Sequence, residues 1–175
     1  MKKIKLISII LIIFSIYSFN KSMPKSFSKN FLVENNSLPN DFYFIINSGG
    51  IDGYNSKNNT FTRKYLKNDK TVKIELTKEE KESIYSFMKE VDFFKMPNKF
   101  VPKESVISIS EPSFQRSIII FSNGKQKVVS YNTGYTSDEN KKRAGDFFRL
   151  YDMIWNILQN KSEVINLPKS DFQFE

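Results

Sequence analysis

The residues with the clearest chemical potential lie in the stretch INSGGIDGYN, residues 46–55. Glycine-rich loops can bind phosphate through free backbone N–H groups, and a neighbouring carboxylate can bind a metal ion. The spacing here is G-G-x-x-G, which matches neither the dinucleotide fingerprint G-x-G-x-x-G nor the G-K-[ST] ending of the P-loop. Asp52 is the only carboxylate between Asp41 and Asp69, so a regular calcium loop does not fit either. We therefore interpret the stretch as a turn or glycine bulge that leaves the first strand.

Two stretches supply candidate binding residues. The glycine-rich stretch supplies Gly49, Gly50, Asp52, Gly53 and Tyr54. The stretch YNTGY, residues 131–135, supplies Tyr131 and Tyr135, which line a small pocket or simply belong to a loop that leads into a helix. The chain contains no histidine and no cysteine, so we predict no metal site and no cofactor.

The same absences restrict the possible enzyme classes. Without histidine or cysteine, the Ser-His-Asp and Cys-His mechanisms are excluded. The acids near the predicted element ends are Asp92, Glu104, Glu111 and Asp146. No spacing links them into a pair, and we expect Asp92 to cap or end a helix. We assign no catalytic residue and predict a non-enzyme, with a hydrolase that uses carboxylates or a Ser/Lys pair as the alternative.

The net charge of +8 is weak evidence for a nucleic-acid partner, because half of it comes from one segment. Lys2, Lys3, Lys5 and Lys21 lie in the first 22 residues, which contain no acid. Lys141, Lys142 and Arg143 are interpreted as the solvated face of a helix. We predict no nucleic-acid partner, and contact with a membrane only through the N-terminal segment if that segment is not cleaved.

The N-terminal segment is typical of export. Three lysines precede the apolar run LISIILIIFSIYSF, residues 6–19, which is short for a membrane span. We predict a signal peptide over residues 1–22, with an uncleaved inner-membrane anchor formed by residues 6–19 as the alternative. An exported chain without cysteine fits a bacterial periplasm or cell surface better than a eukaryotic secretory route. The predicted location is therefore periplasmic or extracellular.

The rest of the chain divides by composition. Residues 23–40 are polar, and we interpret them as a linker. We predict a single α+β domain over residues 41–168 and a tail over residues 169–175. Alternating or continuous apolar runs predict strands at 42–46, 60–66, 71–76, 105–109, 116–121 and 126–131. Asn123-Gly124 between the last two runs predicts a tight hairpin.

Two amphipathic helices complete the predicted domain. Thr77 and Glu80 form a capping-box pattern ahead of the first, and Ser137 is the expected N-cap of the second. Pro97 and Pro168 mark the ends of the two helical regions. The expected fold is an antiparallel sheet with both helices on one face, in roughly βββα-βββα order.

A glycine-bearing segment, then "LTKEEKESI", "VDFFKMP", a hairpin and a last amphipathic helix follow one another over residues 41–160. This layout resembles small exported domains of unknown function from Bacteroidetes-type bacteria, which are often lipid-anchored. The resemblance implies export and no particular activity. From the residues we favour a non-catalytic exported domain that binds a protein or a cell-envelope component. An exposed aromatic cluster on the sheet would favour an inhibitor-like or immunity-like protein within this class.

Overall fold

The computed structural model describes residues 37–100, 115–131 and 140–172. These residues form strands β1 Tyr43–Ser48, β2 Asp52–Asn55, β3 Thr60–Arg63, β4 Lys70–Lys73, β5 Lys99–Phe100, β6 Arg116–Ser122 and β7 Lys125–Tyr131. They also form helices α1 Lys78–Glu90, α2 Lys141–Gln159 and α3 Ser162–Ile165, with a 3₁₀ helix at Phe93–Lys95. The protein is α+β, as the sequence predicted.

The seven described strands form one sheet in the order β4-β3-β2-β1-β6-β7-β5. All neighbouring pairs are antiparallel except β5 and β7, which are parallel. The central strands β1 and β6 pair over six residues, from Tyr43 opposite Phe121 to Ser48 opposite Arg116. The predicted antiparallel sheet is therefore confirmed apart from one short edge strand.

The order of elements along the chain differs from the expected βββα-βββα. Four strands precede α1, because residues Asp52–Asn55 form β2 between β1 and β3. An aspartate, a glycine and an asparagine give this segment low strand propensity, and its pairing on both sides overrides that propensity. β5 and the short helix α3 were also not expected.

One face of the sheet carries the core. Phe44 and Ile46 of β1 are fully buried, whereas Tyr43 and Ile45 on the opposite face are half-buried. Helix α2 lies over the buried face, where Tyr151 donates from its hydroxyl to the Asn47 carbonyl oxygen at 3.3 Å. The other core residues with no exposed surface are Phe61, Ile74, Ile84, Ile118, Ile120, Val129, Phe147, Leu150, Ile154 and Leu158.

Two local sequence signals are confirmed in atomic detail. The Glu80 amide donates to Thr77 Oγ1 at 3.1 Å, and the Thr77 amide donates to Glu80 Oε2 at 2.8 Å, which completes the capping box of α1. Asn123 and Gly124 both have positive φ in the β6–β7 turn. The Asp41 carboxylate accepts from both of their amides, at 2.9 and 2.6 Å, and these bonds lower its pKa.

The last described residues run beside the β3–β4 loop. The Pro168 carbonyl accepts from the Tyr65 hydroxyl at 2.7 Å, and Asp171 Oδ1 accepts from the Leu66 amide at 3.0 Å. Ser170 donates from its hydroxyl to the Lys64 carbonyl. The described part of the segment interpreted as a tail, residues 169–172, therefore makes specific hydrogen bonds.

Several predictions fall on residues outside the described ranges. These are the signal peptide over 1–22, most of the linker over 23–40, the strand at 105–109, the N-cap at Ser137, the pocket residue Tyr135, and the acids Glu104 and Glu111. Helix α2 begins at Lys141, with Asn140 in the N-cap position.

Candidate functional site

The glycine-rich stretch is a β-hairpin turn in which the Gly49 and Ile51 amides donate to protein carbonyls. Gly49 and Gly50 both have positive φ, and Ile51 donates from its amide to the Ser48 carbonyl at 3.0 Å. The Gly49 amide donates to the Gln115 carbonyl at 3.1 Å. A phosphate-binding loop needs free N–H groups that converge, and these two amides are directed to protein carbonyls instead. The geometry therefore agrees with the interpretation as a turn.

Asp52 in this stretch is an ion-pair partner across two strands. Its two carboxylate oxygens accept from Nε and a terminal nitrogen of Arg63, each at 2.9 Å. The two side chains are 14% and 12% exposed, and the guanidinium lies over the ring of Phe61, 5.7 Å from its centroid. This bidentate bond raises the pKa of Arg63. Asp52 thus ties β2 to β3 on the core side of the sheet.

Gly53 has a different reason to be glycine. A Cβ at this position would lie 2.9 Å from Oδ1 of Asn47, its neighbour across the β1–β2 ladder. The Asn47 side chain in turn donates from Nδ2 to Ser117 Oγ at 3.2 Å on β6. Gly53 therefore leaves space for an amide that links the two central strands.

The two candidate tyrosines that the structure describes, Tyr54 and Tyr131, do not meet in one pocket. Tyr54 is 1% exposed and donates from its hydroxyl to the Ile74 carbonyl at 3.0 Å. Its burial, followed by the nearby Glu80 and Glu75, raises its pKa. Tyr131 is half-buried at the other side of the sheet, with its ring edge-on to Phe148 at 4.5 Å. The first tyrosine fills the core, and the second joins an aromatic cluster.

The structure does bring two of the candidate acids together. Asp92 and Asp146 line one cleft of about 130 Å³ between the end of α1 and the start of α2. Asp92 has a φ of 49° and follows the last turn of α1, so it ends the helix as the sequence predicted. Its carboxylate is 3.1 Å from Lys95 Nζ, and Asp146 is 2.9 Å from Lys142 Nζ.

This cleft offers limited support for catalysis. A ligand pocket typically measures about 300–1,000 Å³, well above the volume found here. Asp146 also lies 3.4 Å from Arg149. Each of the two acids is therefore paired with a basic residue three or four positions away in the chain. No group of three or more carboxylates suited to a metal ion occurs in the described part of the chain.

The most distinctive surface is the sheet face opposite the core. Tyr43 and Phe121 stack on it with centroids 4.1 Å apart, and Ile45, Ile119 and Val128 stand side by side in the next row of the ladder. Val128 is 39% exposed and the other four are half-buried. We call these five residues, Tyr43, Ile45, Ile119, Phe121 and Val128, the open-face patch.

The rest of this face is polar and internally bonded. Thr62 and Thr71 share a hydroxyl hydrogen bond of 2.9 Å, and Asn47 is bonded to Ser117 as described. These residues lie at the end of the sheet that carries the glycine turn. The open face thus has an apolar half over β1, β6 and β7 and a polar half elsewhere.

Sequence reasoning did not assign the open-face patch, although a signal for it was present. The runs FYFII and RSIIIF lack the polar alternation that a strand with one solvated face usually shows. Neither run contains a charged residue inside the paired strand apart from Arg116 at its start.

Comparison with models of known protein families gives no match, and comparison with curated proteins gives none either. Among the helices that the structure describes, none combines the length and the apolar character needed to cross a membrane.

Proposed function

We propose that this protein is an exported, non-catalytic binding module that contacts a protein or cell-envelope component through the open-face patch. The observation that carries the proposal is an aromatic and aliphatic cluster on the sheet face opposite the helices. Tyr43 and Phe121 form its aromatic part, and Val128 is its most exposed member. Apolar clusters of this kind at the surface typically mark interaction sites.

Packing alone gives no reason for this cluster. The core is already formed on the other face by Phe44, Ile46, Ile118 and Ile120, each fully buried. The polar half of the open face uses threonine and asparagine at equivalent strand positions, so the fold accepts polar residues there. Isoleucine, tyrosine and phenylalanine in the other half therefore favour a partner that covers them.

A protein partner is favoured over a bare charged surface. The lysines are distributed over the sheet, the loops and the two long helices α1 and α2 rather than gathered on one face, as Lys57, Lys81 and Lys142 illustrate. Aromatic rings supported by neighbouring side chains are typical of interface centres. An inhibitor-like or immunity-like protein remains one form of this proposal.

A carboxylate-dependent hydrolase is the second candidate, because Asp92 and Asp146 share a cleft. This candidate predicts that Asp92→Asn combined with Asp146→Asn abolishes an activity that the wild-type protein shows on esters, glycosides or peptides. The binding-module proposal predicts no such activity and no effect of these substitutions on partner capture.

The test uses the full chain with a C-terminal affinity tag, expressed in the organism that produces it. The wild type, Val128→Glu and Thr71→Glu are cross-linked, captured and compared. Thr71 is an exposed residue on the same face but in the polar half, so it is the matched control. We expect one stoichiometric partner with the wild type and Thr71→Glu, and its loss with Val128→Glu. Equal capture by all three would reject the open-face patch as the binding surface.

Export is tested in the same strain by cell fractionation. A shortened chain in the periplasm or medium would support cleavage after the N-terminal segment, and a full-length chain in the inner membrane would support the anchor over residues 6–19. A full-length chain in the cytoplasm would contradict both forms of the export proposal.

A further inference from the structure

Strand β7 has an outer edge that is only partly covered. It spans Lys125–Tyr131, and β5 pairs with it only at Ser130 and Tyr131. No strand lies beyond residues 125–129 in the ranges that the structure describes. Lys125, Gln126 and Val128 are exposed along this edge. Within the described ranges, about 17 Å of strand edge therefore has no paired strand, at roughly 3.4 Å per residue.

The direction of the backbone groups along this edge follows from one hydrogen bond. The Ser130 amide points away from β6 and donates to the Asn98 carbonyl at 2.9 Å. Backbone groups alternate sides along an antiparallel strand, so the N–H and C=O groups of Gln126 and Val128 also point outward. The backbone N–H and C=O groups of Lys125 and Lys127 point the other way and pair with β6. The open edge thus presents two donors and two acceptors.

The charged residues of the three strands on this side of the sheet are all basic. Strands β5, β6 and β7 contain the basic residues Lys99, Arg116, Lys125 and Lys127 and no acidic residue. At the β6–β7 turn, the Asp41 carboxylate already accepts from the Asn123 and Gly124 amides. Val128 belongs both to this edge and to the open-face patch, so the two surfaces are continuous.

We propose that an extended, acidic segment of the partner pairs with the β7 edge as an additional strand. This inference rests on the proposed function and specifies its partner. Backbone hydrogen bonds to Gln126 and Val128 hold the segment, and its alternate apolar side chains extend the open-face patch next to Val128. Its carboxylates lie on the other face of the added strand, near Lys125 and Lys127 of β7, a strand that contains no acidic residue.

A second copy of this chain is a poorer occupant of the edge. Two β7 strands paired antiparallel about Lys127, the centre of the open edge, would place Lys127 of one copy directly opposite Lys127 of the other, with Lys125 diagonal to it. Like charges placed directly opposite one another destabilise a strand pair. Lysine on an edge strand also opposes self-association in general. An acidic segment converts the same lysines into favourable contacts.

The decisive variant is Gln126→Pro, with Gln126→Thr as its matched control. Proline removes the outward N–H at this position and leaves the hydrogen bonds of Lys125 and Lys127 to β6 in place, as is tolerated on edge strands. Threonine retains the donor. Gln126 is not a member of the open-face patch, so neither variant changes the patch itself.

The probe is a fluorescently labelled peptide of about nine residues with alternating glutamate and valine. We expect it to bind the wild type and Gln126→Thr equally and to bind Gln126→Pro about tenfold more weakly, as measured by anisotropy. The same peptide with N-methylated valines, which cannot pair, should not bind the wild type. This second peptide keeps the test informative even if Gln126→Pro fails to fold.

Three results would overturn the inference. The first is that the glutamate–valine peptide does not bind the wild type. The other two are that the N-methylated peptide, or a lysine–valine peptide, binds the wild type as tightly as the glutamate–valine peptide does. Binding to phosphatidylglycerol vesicles but not to the peptide would assign the basic edge to lipid and would also overturn it. In the capture experiment, loss of the partner with Val128→Glu but not with Gln126→Pro would leave the proposed function standing and reject only the edge pairing.

Discussion

The ion pair between Asp52 and Arg63 makes a strong prediction, because a simple turn would not need it. We expect Asp52→Ala to reduce the free energy of unfolding by about 2–3 kcal/mol. The substitution leaves a guanidinium that is 12% exposed with the Pro168 carbonyl, at 3.2 Å, as a remaining hydrogen-bond acceptor. Hydrogen bonds to charged groups contribute about 1.5–3 kcal/mol, and this pair has two of them.

The assay is thermal and urea-induced unfolding followed by circular dichroism. For a domain of this size the predicted loss corresponds to a fall in Tm of about 6–9 °C. Glu82→Ala is the control, because Glu82 pairs with Lys78 on the surface of α1, with side chains 43% and 78% exposed. Exposed pairs of this kind contribute about 0–1 kcal/mol, so the control should unfold close to the wild type.

A double-mutant cycle separates the pair from other effects of the substitutions. Asp52→Ala combined with Arg63→Ala should cost less than the sum of the single changes, because the second change removes the unpaired charge. A fall in stability for Asp52→Ala no larger than that for Glu82→Ala would refute the reasoning. It would mean that water or the Pro168 carbonyl replaces the lost carboxylate at little cost, and that the stretch acts only as a turn.

Three further predictions concern single hydrogen bonds or turns. Gly50→Ala should lower the free energy of unfolding in urea by about 1 kcal/mol, because Gly50 has a positive φ. Gly50→Asn should lower it less, since asparagine enters the left-handed region more readily than alanine, and equal losses would contradict this. Tyr54→Phe should cost about 1 kcal/mol by loss of the bond to the Ile74 carbonyl, and no loss would show that the hydroxyl is not needed there. The pKa of Asp41 is lower in the folded protein than in the unfolded chain, where it is about 3.9. Asp41 therefore stabilises the fold above a pH of about 3.9, and this stabilisation is lost as the pH falls through the pKa of the folded state. Thermal melts between pH 2 and 5 should therefore show a weaker acid dependence for Asp41→Asn, and an unchanged dependence would exclude this role.

Features set by neighbouring residues could be predicted from the sequence. The capping box of Thr77 and Glu80 and the Asn123-Gly124 hairpin each depend on a few consecutive side chains and amides. The end of α1 at Asp92 is of the same kind. Such features need no information about the rest of the fold, so the structure and the sequence agree on them.

Features set by distant residues could not be predicted in the same way. The segment Asp52–Asn55 has poor strand propensity and becomes β2 because β1 and β3 pair with it. The bidentate contact to Arg63 depends on the register between β2 and β3. Likewise, Asp92 and Asp146 meet only because α1 and α2 pack together. No spacing within the chain encodes these contacts.

The continuous apolar strands explain why the open-face patch was visible in the sequence but not interpretable there. A run such as FYFII suits a strand buried on both faces. In the structure only Phe44 and Ile46 face the core, while Tyr43 and Ile45 face away from it. A one-sided sheet needs apolar residues at every second position, as β3 shows with Phe61 between two threonines. The additional apolar residues of β1 are therefore more than this fold requires, and a partner on the open face is the physical reason we propose for them.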